Sequence, residues 1–297
     1  MASHTPLNGT FADIASDRVL RALIDGIMAL PYERRVPAMG RIMRQGIGPL
    51  AGYTKRARKH LAMIFPDLSG SEQQKIASQV CDNFGRTMIE NYSWPELHDR
   101  VKNIAPTGAG MDAIDDARSN GRPILFVTGH FGNHEVPRHV LTELGYNIGG
   151  LYRPMGNPYF NAHYEKTMTS WGGPVFAQGR RGTAGFAKHL KSGGMGTLLF
   201  DVAFAGGVAV NFLGKPAMTA TSAADLSLRF NALVVPYFAK RQPDGLTFDV
   251  TVEAPIPAQE PLAMMQDMTD RLAAQVRQAP EQWFWVHRRW KMRQQNT

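Results

Sequence analysis

Cysteine is almost absent from this chain: Cys81 is the single thiol in 297 residues. No intrachain disulfide is possible, so the fold rests on an apolar core, and Cys81 reads as one of its small buried residues. A reducing compartment fits that usage. Long apolar runs are missing too. No segment reaches the ~18 apolar residues of a membrane span. The nearest, Leu198 to Leu213, is interrupted by Asp201, Gly206, Gly207 and Asn211. The opening Met1-Ala2-Ser3-His4-Thr5-Pro6 carries neither the basic nor the apolar stretch of a signal peptide. The expectation is a protein that lies on a membrane rather than crossing one.

Several catalytic signatures are missing as well. There is no G-x-S-x-G elbow for a serine hydrolase. Neither G-x-x-x-x-G-K-[ST] nor G-x-G-x-x-G occurs, so nucleotide-binding loops have no support. The zinc spacing H-E-x-x-H fails, because His134-Glu135 is followed by Val136, Pro137 and Arg138, with His139 one residue late. No metal site is expected.

What remains is a globular composition, 43% hydrophobic and 20% charged, with a formal net charge of +8. That charge suits an acidic partner: anionic lipid, an acidic carrier protein or nucleic acid. Residues 17–50 read as helical with breaks at Pro31 and Pro37. Val19, Leu20, Leu23, Ile24, Ile27 and Met28 share one face, which suits either a helix packed on the core or one lying in a lipid interface. Lys55, Arg56, Arg58, Lys59 and His60 form the densest basic cluster and read as a solvated face. Ser69 and Glu72 form a capping box that predicts a helix over 71–92.

From 123 onward, short apolar runs near 123–128, 147–152, 174–177 and 197–202 alternate with helix-like stretches near 135–144, 158–170 and 183–192. That is the texture of βαβ units. Pro243-Asp244-Gly245 separates two hairpin strands, 233–241 and 246–254, and a last helix is expected over 260–278. The expected fold class is α/β, with a mainly parallel central sheet flanked by helices. An N-terminal helical, membrane-associating region covers 1–100. One continuous α/β core covers 101–297 and ends in a β-hairpin plus helix.

Chemistry concentrates in Gly129-His130-Phe131-Gly132-Asn133-His134-Glu135, directly after the apolar run Pro123 to Val127. Reactive groups in open α/β sheets gather at that strand edge. Five residues of helix turn about 140°, so His130 and Glu135 would not share a helical face. Asn133 is a good N-cap and Pro137 suits only a first turn, which starts the helix near 133 and leaves His130 on the loop before it. Glu135 in the first turn would be held ionised by the helix dipole and would orient the His130 imidazole. A His beside a capping Glu with no chemistry is the alternative.

The same stretch resembles the H-x4-[DE] motif of glycerolipid and lipid A acyltransferases. Three further blocks narrow the resemblance to the late lauroyl/myristoyl acyltransferases of bacterial lipid A biosynthesis. They are Tyr152-Arg153-Pro154-Met155-Gly156-Asn157-Pro158, Phe200-Asp201 with Gly206 to Ala217, and Pro280 to Trp290. The resemblance spans roughly residues 50–293. It departs from the family at His134, commonly Trp there, and in an amphipathic N-terminal segment rich in Arg where a membrane-spanning helix is usual.

The resemblance implies transfer of a fatty acyl chain from a thioester on acyl carrier protein or coenzyme A, with no other cofactor, to a lipid hydroxyl. The acceptor would be a lipid A precursor, or else another lyso-lipid such as an amino-acid-containing one. A catalytically idle lipid- or carrier-binding protein is the rival from a different class. His130 would be the general base, oriented by Glu135. Asn133 and the amides near Gly132 would face the oxyanion. Arg153, Asn157 and Arg289 would meet substrate, and Asp201 would orient Arg153 or a substrate hydroxyl. Trp283, Trp285 and Trp290 read as core or interface aromatics. The partners implied are the acyl donor, a lipid acceptor and an anionic membrane surface, not nucleic acid. The place implied is the cytoplasmic face of the bacterial inner membrane, peripherally attached.

Overall fold

The structure, a computed structural model, describes residues 9–169 and 173–290. Residues 11–101 form helices: α1 (Phe11–Met28), α2 (Tyr32–Ile42), a π-helical turn (Met43–Ile47), α3 (Gly48–Leu50), α4 (Tyr53–Ile64), α5 (Gly70–Tyr92) and α6 (Trp94–Val101). Ser69 caps α5 as expected, its hydroxyl accepting from the Glu72 N–H while Glu72 reaches back to the Ser69 N–H. Pro31 ends α1's run and caps α2, but Pro37 lies inside α2 rather than breaking it. The hydrogen bond Pro37 cannot make is offset by packing, since Val36 and Met39 are fully buried against α5. The two helices approach so closely that a Cβ on Gly85 would stand 2.7 Å from the Met39 carbonyl oxygen.

On α1, Ile24 and Ile27 face the core while Phe11 and Val19 stay 86% and 69% exposed. Leu50 in α3 is 90% exposed. Among the described residues no helix is long and apolar enough to cross a membrane.

After α7 (Met111–Ser119) the chain alternates: β1 (Ile124–Thr128), α8 (Val136–Glu143), β2 (Ile148–Tyr152), α9 (Pro158–Thr169), β3 (Val175–Ala177), α10 (Arg180–Lys191) and β4 (Met195–Leu199). The hairpin β5 (Ala203–Phe212) and β6 (Lys215–Thr219) follows, then α11 (Ser222–Phe230), β7 (Leu233–Arg241), β8 (Phe248–Val252) and α12 (Pro261–Gln278). Six strands form one sheet in the order β3-β2-β4-β1-β7-β8, parallel except for β8. This is the expected α/β fold with a mostly parallel sheet.

All five residues of β1 are buried, as a central strand covered on both faces requires. β4 lies two residues earlier than expected, so Phe200 and Asp201 leave the sheet. Val80 and Leu61 from the helical region share one apolar cluster with Leu125 and Val127 of β1 and Trp283 near the C-terminal end. Cys81 is buried, its sulfur 3.5 Å from the Thr54 hydroxyl.

Candidate active site

β1 and β4 are parallel neighbours, with Thr128 registered opposite Leu199. Two residues further along each chain stand His130 and Asp201, so the register alone sets them side by side at the carboxyl edge. The Phe200 N–H donates to the Thr128 carbonyl at 3.2 Å and carries the pairing past the last registered residues. His130 Nδ1 lies 2.7 Å from Asp201 Oδ1, and the His130 backbone N–H donates to Oδ2 at 2.8 Å. Trp283 Nε1–H donates to the same Oδ2 at 2.9 Å.

Asp201 is 1% exposed. Burial by itself would raise its pKa. The adjoining His130 charge and hydrogen bonds, helped by His287, outweigh that and hold it far below the usual carboxylate range. In the neutral imidazole, an Nδ1–H facing an ionised carboxylate leaves the lone pair on Nε2.

The expected partner Glu135 is elsewhere. Its carboxylate oxygens lie 3.8 Å from His134 Nε2 and 3.8 Å from Arg138 Nη1. It occupies the N-cap of α8, which starts at Val136, three residues later than Asn133 predicted. The dipole argument fails here: burial dominates, opposed by Arg138 and then His130, and the Glu135 carboxyl is pushed up rather than down.

Asn133 serves the loop rather than a ligand. Its Oδ1 accepts from the Glu135 N–H at 3.2 Å, and its Nδ2 donates to Glu90 Oε2 at 2.9 Å. Glu90 is fully buried and also grips Arg241. The Gly132 amide is committed too, donating to the Gln282 carbonyl at 2.9 Å. Gly132 has φ +54°, and a Cβ there would fall 1.8 Å from the Ala239 carbonyl oxygen, so this turn admits glycine alone.

The remaining expected contacts also resolve differently. Asn157 caps α9, accepting from the Tyr159 and Phe160 N–H groups, and its amide ties down Asp13 and Ser16 of α1. Arg289 is 1% exposed and donates to the Met218 carbonyl and the Thr219 hydroxyl, pinning the β5–β6 hairpin. Its burial lowers its pKa to about 10. Arg153 is exposed after β2 and has no ion-pair partner among the described residues. Asp201 orients His130, not Arg153.

Around His130 the structure gathers two residues that the sequence left unassigned. The His287 ring stands edge-on at 4.4 Å and His134 is tilted at 5.3 Å. Burial keeps both neutral, lowering His134 to about 3 and His287 to about 4. The buried Nε2 of His287 has no hydrogen-bond partner among the described residues. Motif spacing offers no signal for this, since 157 positions separate His130 from His287. The terminal block's His was the one available hint.

These rings open onto a cavity of about 270 Å³ between α5, α9 and the C-terminal segment. Its walls are mainly apolar, with Val80, Phe84, Met88, Phe160 and Phe284 among them, and Phe84 stacks on Phe284 at 4.5 Å.

A histidine held by a carboxylate opens here onto a cavity with mainly hydrocarbon walls, an arrangement able to take a proton beside an aliphatic chain. The family of bacterial lipid A biosynthesis acyltransferases matches residues 17–292, and the chain belongs to it. It is 27% identical over 287 residues to the lipid A biosynthesis lauroyltransferase of Escherichia coli K12, covering 90% of this chain and 88% of that protein. The lipid A biosynthesis myristoyltransferase of the same organism is 23% identical over 275 residues (89% and 83%). Its palmitoleoyltransferase is 25% identical over 255 residues (80% and 78%). The protein is an acyltransferase.

Proposed function

We propose that the protein moves a fatty acyl chain from a thioester to a hydroxyl of a lipid A precursor, with His130 as general base and Asp201 as the carboxylate that orients it. The observation carrying this reading is the 2.7 Å His130–Asp201 contact at the mouth of the apolar cavity. The family and the names of its relatives support the acceptor.

His130 Nε2 takes the proton as the acceptor oxygen attacks the thioester carbon, and the new C–O bond pushes one C=O electron pair onto oxygen. Asp201 stabilises the imidazolium that forms. With Asn133 and the Gly132 amide committed, the unpartnered His287 Nε2–H is the donor best placed for the oxyanion. Collapse breaks the C–S bond and the His130 proton goes to the leaving thiolate. The acyl chain lies along Phe84 and Met88. Acyl carrier protein and coenzyme A are the two donor types this chemistry accepts. Exposed Phe11, Val19 and Leu50 support peripheral attachment to the membrane that holds the acceptor.

The test combines comparative lipidomics of cells with and without the protein and turnover by the purified His130→Ala variant. A lipid A species that gains one acyl chain only when the protein is present is expected, and the variant should lose that transfer. An unchanged lipid A profile with a different lipid acylated would overturn the acceptor. Undiminished transfer by His130→Ala would overturn the mechanism.

A further inference from the structure

A second concavity, about 1130 Å³, opens between α4, the start of α5 and the C-terminal segment. Lys55, Arg56, Arg58, Lys59 and Arg288 line it, with His60, and no Asp or Glu does. None of the five cations has a carboxylate within 4.0 Å among the described residues, whereas Arg21 of α1 pairs with Asp17 and Arg35 of α2 with Glu96. The N-terminus of α4, a twelve-residue helix, faces the same space. Its N-cap is Gly52, without a side-chain cap, and its first turn has no acid. Orphan N–H groups and five unpaired cations in one concavity repel one another until an anion enters.

The cleft is joined to the reaction site by two elements. Gln73 and Gln74 of α5 line the cleft while Asn83, Phe84 and Thr87 line the acyl cavity. At 1.5 Å per residue, Gln74 and Phe84 lie about 15 Å apart. The C-terminal segment divides the two spaces, with Phe284 and His287 on the cavity side and Arg288 and Trp290 on the cleft side. His60 Nδ1 bonds the Trp285 carbonyl at 2.8 Å and Arg56 the Val286 carbonyl at 3.4 Å, fixing that divider.

We infer that this cleft binds the phosphate-bearing end of the acyl thioester donor, with the pantetheine arm crossing the divider to present the thioester at His130. This rests on the thioester reading above. The arm joins an anion to a thioester across a distance of the same order as the cleft-to-cavity spacing. That arm and its phosphate are common to coenzyme A and acyl carrier protein. A lipid surface is flat on this scale and would meet the exposed Lys55, Arg58 and Lys59 rather than the half-buried Arg56 and His60.

The test uses the full-length protein with lauroyl-coenzyme A, lauroyl-acyl carrier protein and lauroyl-pantetheine, which lacks the phosphate. The wild type should show a donor KM at least ten-fold higher for lauroyl-pantetheine. Lys55→Gln/Arg58→Gln/Lys59→Gln should raise KM for the phosphate-bearing donors at least ten-fold more than for lauroyl-pantetheine. Equal effects on both phosphate-bearing donors assign the phosphate itself. A larger effect on acyl carrier protein adds its acidic surface, and both outcomes support the cleft. An equal rise for all three donors, or no rise, overturns the proposal. So does loss of flotation on phosphatidylglycerol vesicles with donor KM values unchanged. Calorimetry with coenzyme A separates this inference from the proposed function: His130→Ala should bind as the wild type does, and a wild type that binds coenzyme A yet transfers no acyl chain from any of the three donors would sink the reaction but not the anion site.

Discussion

His130 and Asp201, 71 residues apart in the chain, meet because Thr128 and Leu199 are registered opposite each other on adjacent parallel strands. The dyad is thus a property of the β1–β4 pairing. It also recruits Trp283, whose indole N–H fills the second lone-pair side of the Asp201 carboxylate. A buried carboxylate with this many donors stays ionised, which fixes the tautomer that a general base needs.

Asp201→Asn keeps the volume but removes the charge that selects the Nδ1–H tautomer. Turnover should fall by roughly 10⁴-fold, the loss for the same change in a comparable triad. Steady-state kinetics with a saturating donor checks this. Glu135→Gln should cost far less, since Glu135 has no hydrogen bond to His130 in the structure. A larger loss for Glu135→Gln than for Asp201→Asn would reverse the assignment.

On the proposed function, the cavity of about 270 Å³ bounds the acyl chain. Met88→Trp narrows it and should shift preference toward shorter chains, each excluded methylene forfeiting ~0.8 kcal/mol of burial. Competition between lauroyl and myristoyl donors, read by mass spectrometry of the product, gives the answer. An unaltered product ratio would show that the chain lies elsewhere.

Glu90 and Arg241 form a buried pair that also holds Asn133. Glu90→Gln strands the Arg241 charge in the interior and should destabilise the protein by about 3–5 kcal/mol. Denaturant unfolding measures it. Turnover should fall as well, because the 129–135 loop loses the anchor of Asn133.

Three buried histidines give stability a pH dependence. His134 and His287 are lowered to about 3 and about 4, and His139, stacked on Trp94, lies well below its usual value, burial being the largest cause for each. In the unfolded chain they take up protons below pH 6.5, while the folded chain does not. Stability should therefore fall as pH drops from about 6.5 toward 4, by at most ~1.4 kcal/mol per pH unit for each residue. Glu135, raised by burial, acts with the opposite sign as pH rises above 4.5, and it is one group against three. Urea midpoints between pH 7 and 5 should decline, and the decline should be shallower in His134→Gln. A flat profile would show that these rings are hydrated.

Local signals carried much of this molecule. The apolar run before Gly129 predicts β1, Ser69 and Glu72 predict the start of α5, and Pro243-Asp244-Gly245 predicts the β7–β8 turn, because each depends on residues a few positions apart. The same holds for His130 itself, which sits on the loop at the strand edge where the sequence puts it. Pro37 and Asn133 misled for one reason: tertiary packing against α5 and the buried Glu90 outweighed local propensity.

The partners of His130 are another matter. Asp201, Trp283 and His287 come from the end of β4 and from the C-terminal segment, and only strand order and register bring them to one point. Arg289 and Asn157 have the chemistry to bind an anion or a hydroxyl, yet burial and nearby backbone carbonyls and N–H groups claim them first. By itself the sequence determined most strands and helices, the family and the place of His130 at the strand edge, since these follow from neighbouring residues and from motif order. Which carboxylate serves that base, and which polar groups stay free for substrate, was decided by the tertiary structure, because both depend on distances between segments far apart in the chain.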